Sequence, residues 1–95
     1  MSKDETPRDI IIKRLKRIEG QTRGIQRMVA EGHECESVIT QLVATRSAID
    51  SVGALVLNNF MGLCFNDTGV KDPEAINSLA RSVAIWGRVR VGDKT

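Results

Sequence analysis

The sequence predicts an all-α fold, a three-helix subunit with a long first helix, a longer second helix and a short third. Three observations carry this. Apolar residues recur at steps of three and four over most of the chain, each proline (Pro7, Pro73) follows a capping residue, and the stretch from Cys35 to Phe65 holds no proline at all. Residues 1–95 read as one helical domain, with 1–6 as a flexible N-terminal tail.

The first helix starts at Thr6-Pro7-Arg8-Asp9, with Thr6 as N-cap, Pro7 at the first helical position and Asp9 at the third. Ile11, Leu15, Ile18, Thr22, Ile25 and Val29 then follow at spacings of 4, 3, 4, 3 and 4, a heptad stripe. Gly20 and Gly24 inside it suggest the close approach of another backbone or a local bend, and Gly32 supplies the C-terminal stop. At about 100° per residue, Lys16, Arg23 and Arg27 fall opposite the stripe, and Lys13, Arg14 and Arg17 lie on its flank.

The second helix is expected from Cys35 to about Phe65, with Val38, Leu42, Thr45, Ile49, Val52, Val56, Phe60 and Leu63 at helical spacing. Thirty residues of helix span about 45 Å, too long for a small monomer. From Val52 to Phe65 this helix is apolar almost all round, so it must bury more than one face, and the simplest second partner is another copy of the chain. Asn66-Asp67-Thr68-Gly69 is turn chemistry, and Asp72-Pro73-Glu74 starts the third helix. That helix carries a narrow stripe of Ile76, Leu79, Ala80, Val83 and Gly87, and Val91-Gly92 ends it.

Composition narrows the function. Hydrophobic residues make up 41% and charged residues 27% of the 95 residues, a globular balance rather than a disordered one. Only 3% are aromatic, so a chain of this length has a thin core and association is the expected remedy. The polar, acidic N-terminus lacks an apolar leader core, and two cysteines are too few for a disulfide scaffold; the reading is cytoplasmic, with reduced thiols and no membrane partner. Neither G-x-S-x-G nor a P-loop occurs, and the expectation is a non-enzyme.

The net charge of +2 hides an uneven distribution. Between Arg8 and Arg27 stand seven basic residues (Arg8, Lys13, Arg14, Lys16, Arg17, Arg23, Arg27) against Asp9 and Glu19. Between Cys35 and Asp67 the only base is Arg46. A basic segment on a nearly neutral chain suggests contact with a polyanion, although a solvated helix face accounts for the same charges.

Cys35 and Cys64 are 29 residues apart. On one continuous helix they would share a face to within about 20° yet stand about 43 Å apart, so they could not meet within a chain. An antiparallel copy related by a two-fold axis would bring Cys35 opposite Cys64 and create two dithiol sites per dimer. The alternative is that both are small buried apolar residues. His33, the sole histidine, is either a further ligand beside Cys35 or an ordinary loop residue.

The stretch Arg14-Leu15-Lys16-Arg17-Ile18-Glu19-Gly20-Gln21-Thr22-Arg23-Gly24-Ile25, with Met28-Val29, Gly32, Cys35, Thr40-Gln41-Leu42 and Ser51-Val52, closely resembles the CsoR/RcnR family of bacterial transcriptional repressors. The likeness runs from about Ile10 to Cys64. It implies antiparallel helical-bundle dimers paired into a flat homotetramer, and binding of operator DNA without a helix-turn-helix. Release would follow when an inducer occupies the inter-subunit cysteine site. Lys13, Arg14, Lys16, Arg17, Arg23 and Arg27 are then the candidate DNA-binding residues, Arg14 first among them.

The sensor departs from the family pattern. Copper-sensing members resemble this chain at Cys35 and Cys64 but place a histidine where Phe60 stands, and phenylalanine cannot ligate a metal. Nickel and cobalt sensors need several histidines. What remains resembles the dithiol pattern of persulfide-sensing members: Cys35 and Cys64 as sensing thiols, no metal and no cofactor, and a reactive sulfur species as inducer. Two alternatives stay open. One is a Cu(I)-sensing repressor with Cys35, Cys64 and His33 as ligands. The other, of a different class, is a helical protein-interaction module whose basic face meets an acidic partner.

Overall fold

The computed structural model describes residues 5–64 and 73–88. Four helices follow in order, α1 (Pro7–Ala30), α2 (Cys35–Asn58), α3 (Phe60–Cys64) and α4 (Pro73–Arg88). The chain divides after Ala54 into two compact units.

In the first unit, α1 begins as its sequence specifies. The Asp9 amide donates to Thr6 Oγ1 and the Thr6 amide donates to Asp9 Oδ2, both at 3.1 Å, a reciprocal capping box that satisfies two of the helix's orphan donors. The Thr6 hydrogen bonds hold the Asp9 carboxyl below its ordinary value, with Lys13 and Arg8 adding to the effect. The start is further held by an ion pair between Glu5 and Lys13. Thr6 caps the helix as its sequence specifies, and Glu5, read from the sequence as tail, joins the helix start through Lys13.

At the other end the Gly32 amide donates to Val29 O at 3.1 Å and the His33 amide to Met28 O at 3.0 Å. Gly32 adopts φ 74°, the left-handed turn that closes a Schellman motif and that favours glycine over any residue with a Cβ. Only four residues, 31–34, then separate α1 from α2, so the chain folds back as a helical hairpin.

The hairpin buries one row of each helix. Ile11, Ile18 and Ile25 on α1, and Thr45 and Val52 on α2, are buried at heptad spacing. Thr45 is the polar member, and its hydroxyl donates to Gln41 O at 2.9 Å, so it is buried without an unmet donor. The second row of the expected stripe is exposed among the described residues. Leu15 and Val29 on α1, and Leu42 and Ile49 on α2, are exposed, as are Ile12, Ile39 and Val43.

Neither glycine inside α1 meets another backbone. A Cβ built at Gly24 has no atom within 4 Å, and one at Gly20 has only the Arg23 guanidinium at 3.8 Å. The close approach expected from the sequence is absent within the described chain, and the helix runs unbroken through both positions.

The expected second helix is two helices. α2 has 24 residues, the same as α1 and not longer, and the helix resumes as α3 after Asn59. The Asn59 amide is shared between Leu55 O at 3.1 Å and Val56 O at 3.2 Å, and its side-chain Nδ2 donates to Leu55 O at 2.8 Å. An amide shared between the i−3 and i−4 carbonyls is what a helix terminus shows, and periodicity alone does not register it.

In the second unit, α3 packs against α4, with Phe60 and Ala75 buried. The buried face of α4 is not the expected stripe. Ala75 is fully covered and Ser78, Leu79 and Ser82 are half-buried, whereas Ile76 and Val83 are exposed. Ile85 and Trp86 are exposed as well, so of the large apolar residues of α4 only Leu79 is even half-buried. The expected turn at 66–69, the Asp72 cap, Phe65 and the stop at 91–92 lie outside the described residues.

Candidate functional site

Two groups of residues were singled out by the sequence, a basic set on α1 and a pair of thiols. All six basic side chains, Lys13, Arg14, Lys16, Arg17, Arg23 and Arg27, are exposed on α1. Their charges are not equally available. Lys13 is paired with Glu5, whose side chain is only 11% exposed, so that carboxylate is held against the helix. Arg23 faces Glu19 one turn earlier, at a looser 3.8 Å. Arg14, Lys16, Arg17 and Arg27 have no carboxylate partner among the described residues. No sequence pattern marks the Glu5 contact, because the two residues lie eight apart and Glu5 precedes the helix.

Arg14 and Arg17 also share a cleft. Its walls are Arg14, Arg17, Ile18 and Gln21 from α1, and Ala48 and Ser51 from α2, enclosing about 420 Å³. On α1 these positions follow the i, i+3, i+4, i+7 pattern of one helix face, and the hairpin brings the middle of α2 alongside. Ile18 is buried at its floor, and Ala48 is small enough to leave the space open.

The thiols stand at helix ends. Cys35 is the first residue of α2, where the Ser37 and Val38 amides donate to Glu34 O, and Cys64 is the last residue of α3. Both are free and exposed, which sets aside the reading of them as buried apolar filler within the chain. His33, two residues before Cys35, has Nε2 3.1 Å from Glu31 Oε1. Phe60, where a third ligand would be looked for, is buried in the second unit and offers no donor atom.

Among the described residues no three His, Cys, Asp or Glu side chains of the single chain gather into a metal-binding cluster. Two thiolates are nevertheless a soft donor set that suits Cu(I) better than harder ions. No described helix is long and apolar enough to cross a membrane.

Comparison with known proteins gives these features a setting. The profile described as metal-sensitive transcriptional repressor matches residues 8–84. The copper-sensing transcriptional repressor RicR of Mycobacterium tuberculosis is 37% identical over 83 residues, covering 86% of each chain. The copper-sensing transcriptional repressor CsoR of Bacillus subtilis is 38% identical over 65 residues, 68% of this chain and 64% of that one. Among solved structures, the nickel-responsive transcriptional regulator InrS superposes with a TM-score of 0.69 at 27% identity, over 90% of this chain and 99% of that one.

Proposed function

The chain belongs to the metal-sensitive transcriptional repressor family, whose members are repressors and not enzymes, and on that premise we propose that it binds operator DNA through α1 and is released by chemistry at Cys35 and Cys64. The observation that carries the DNA half is the row of exposed cations on α1. Four of its six members, Arg14, Lys16, Arg17 and Arg27, face no carboxylate among the described residues and are free to neutralise phosphates. Such a role places the protein in the cytoplasm.

The functional unit is an assembly of copies. Leu15, Val29, Leu42 and Ile49 continue the buried heptad rows yet are exposed in the single chain, so a partner face of the same chemistry covers them. A dimer, or a tetramer of two dimers, is the assembly the resemblance implies. In it Cys35 of one protomer and Cys64 of the partner subunit form the sensing site.

Cu(I) is the inducer that the relatives support, since RicR and CsoR are both copper-sensing. The residues that would hold it are Cys35 and Cys64 through their thiolates, with His33 close to Cys35 in sequence but engaged by Glu31. Held by a thiolate from each of two protomers, such an inducer would couple its binding to the assembly. Two soft donors fit such an ion; the third ligand of the usual copper pattern is replaced by Phe60.

That replacement favours a second reading, a reactive sulfur inducer. The Cys35 thiolate would attack a terminal sulfur of a polysulfide, forming a Cys35 persulfide and expelling the shortened polysulfide. The Cys64 thiolate of the partner subunit would then attack the Cys35 sulfur, leaving a disulfide and releasing hydrosulfide, with the polysulfide as oxidant. In either case the two states of the assembly must differ by about 5.5 kcal/mol in DNA binding to move occupancy from 99:1 to 1:99.

Mass spectrometry and metal titration on the reduced protein separate the inducers. Tight, stoichiometric Cu(I) binding that releases DNA supports copper. An inter-chain sulfur bridge between Cys35 and Cys64 after polysulfide, with DNA release and only weak Cu(I) binding, replaces it by reactive sulfur.

A further inference from the structure

The cleft between α1 and α2 brings together features that general basic character does not require. Its two arginines, Arg14 and Arg17, lie three residues apart on one helix face and open onto the same space. Opposite and beside them stand two neutral hydrogen-bonding side chains, Gln21 and Ser51, on different helices. None of these four side chains is engaged by another described residue, whereas Lys13 and Arg23 on the same helix already face carboxylates.

Guanidinium groups present forked donors that match the oxygens of a tetrahedral oxyanion, and an amide and a hydroxyl supply directed donors for the rest. Ile18 and Ala48 leave an apolar floor without acceptors to compete. At about 420 Å³ the space holds a phosphate group together with bridging waters, given that one water occupies about 30 Å³ of liquid.

We infer that this cleft is a seat for a single phosphate group, with Arg14 and Arg17 supplying charge and Gln21 and Ser51 supplying neutral donors from both helices. Its occupant as part of a DNA backbone rests on the repressor reading above; a free phosphate has the same chemistry. A focal seat differs from a diffuse basic face in two respects. It binds phosphate in preference to chloride at equal ionic strength, and it depends on an uncharged residue of α2.

The probe is inorganic phosphate added to the full-length protein, with sodium chloride of matched ionic strength as reference, followed by amide NMR shifts. Saturable shifts at Gln21 and Ser51 with phosphate alone are expected. Affinity should fall at least about tenfold in Arg14→Gln and in Arg17→Gln, and about threefold in Ser51→Ala. Arg14→Lys, which keeps the charge and loses the fork, should also weaken it, and Arg46→Gln, which removes an α2 charge outside the cleft, should leave it unchanged. Equal shifts with chloride, or phosphate binding that persists in Arg14→Gln and Ser51→Ala, overturns the seat.

A second arm identifies the source. If phosphate displaces duplex DNA beyond what chloride does, and Ser51→Ala weakens DNA binding, the seat takes backbone phosphate. If the cleft binds phosphate while DNA binding is indifferent to it, the seat stands with a free phosphate as occupant. A protein that binds phosphate in the cleft and no DNA at any salt concentration keeps the seat and refutes the repressor reading instead.

Discussion

Glu5 holds one of the six candidate DNA cations in check, and Glu5→Gln should release it. The substitution keeps the side-chain shape and removes the charge that pairs with Lys13, whose own side chain is 70% exposed. The stability lost is small, because a pair with so exposed a member contributes about 0–1 kcal/mol. The DNA term is larger in relative effect. Lys13 no longer has to exchange a carboxylate for a phosphate, so each contacting subunit gains up to one unshared phosphate contact. One additional contact steepens the dependence of log K on log salt by about 0.9, equivalent to about a 3.5-fold change between 50 and 200 mM salt. Fluorescence anisotropy on a duplex from the upstream region of its own operon, taken over that range, reads both affinity and slope. The expected result is tighter binding at the low-salt end and a steeper slope. Binding that is unchanged or weaker, with the helical circular dichroism intact, refutes the placement of Lys13 on the DNA face.

Other outcomes follow from the same structure. Thr6→Ala removes the capping box and should cost about 1 kcal/mol in denaturant unfolding. Because the native Asp9 carboxyl is held below its ordinary value, chiefly by its Thr6 hydrogen bonds, its contribution is present above the ordinary carboxylate range. It is lost as pH falls through that lowered value, so the deficit of Thr6→Ala should shrink in acid. Gly24→Ala meets no atom within 4 Å in the single chain and should stabilise by about 0.5–1 kcal/mol. Loss of the oligomer instead, seen by analytical ultracentrifugation, would locate a partner backbone at Gly24. Phe60→Ala empties a buried site in the second unit and should cost about 3–5 kcal/mol by thermal or denaturant unfolding; a cost under 1 kcal/mol would mean that the unit is held together without it.

Much of the fold was legible because local rules and tertiary packing agree along α1. Thr6, Pro7 and Asp9 start the helix, Ile11, Ile18 and Ile25 bury, and Gly32 stops it, each where cap chemistry or period places it. Legibility failed where local geometry departed from the pattern. At Asn59 the amide is shared between two carbonyls and α2 ends, although the period of Val52, Val56 and Phe60 carries through. On α4 Ile76 and Val83 of the amphipathic stripe stay exposed, and it is Ala75 beside them that is buried. A stripe tells which face seeks burial and not which partner is present.

The candidate site was legible in its members and illegible in its differences. Charge counting found the six candidate cations of α1 but could not tell Lys13, held by Glu5, from Arg14 and Arg17, which open into a cleft. That distinction depends on the hairpin. Only when α2 folds back does Ser51 line the same space as Arg14, and only then does Ala48 leave room beside Arg17.

The most direct test of the account is release of DNA by the thiol site. Reduced protein is bound to a labelled duplex from its own upstream region, and Cu(I) or polysulfide is added to the native chain, to Cys35→Ser and to Cys64→Ser. Salt-sensitive binding by all three is expected, with release of the native chain alone by at least one of the two inducers. Release that proceeds equally in both serine variants, or no DNA binding by any of the three at low salt, contradicts it.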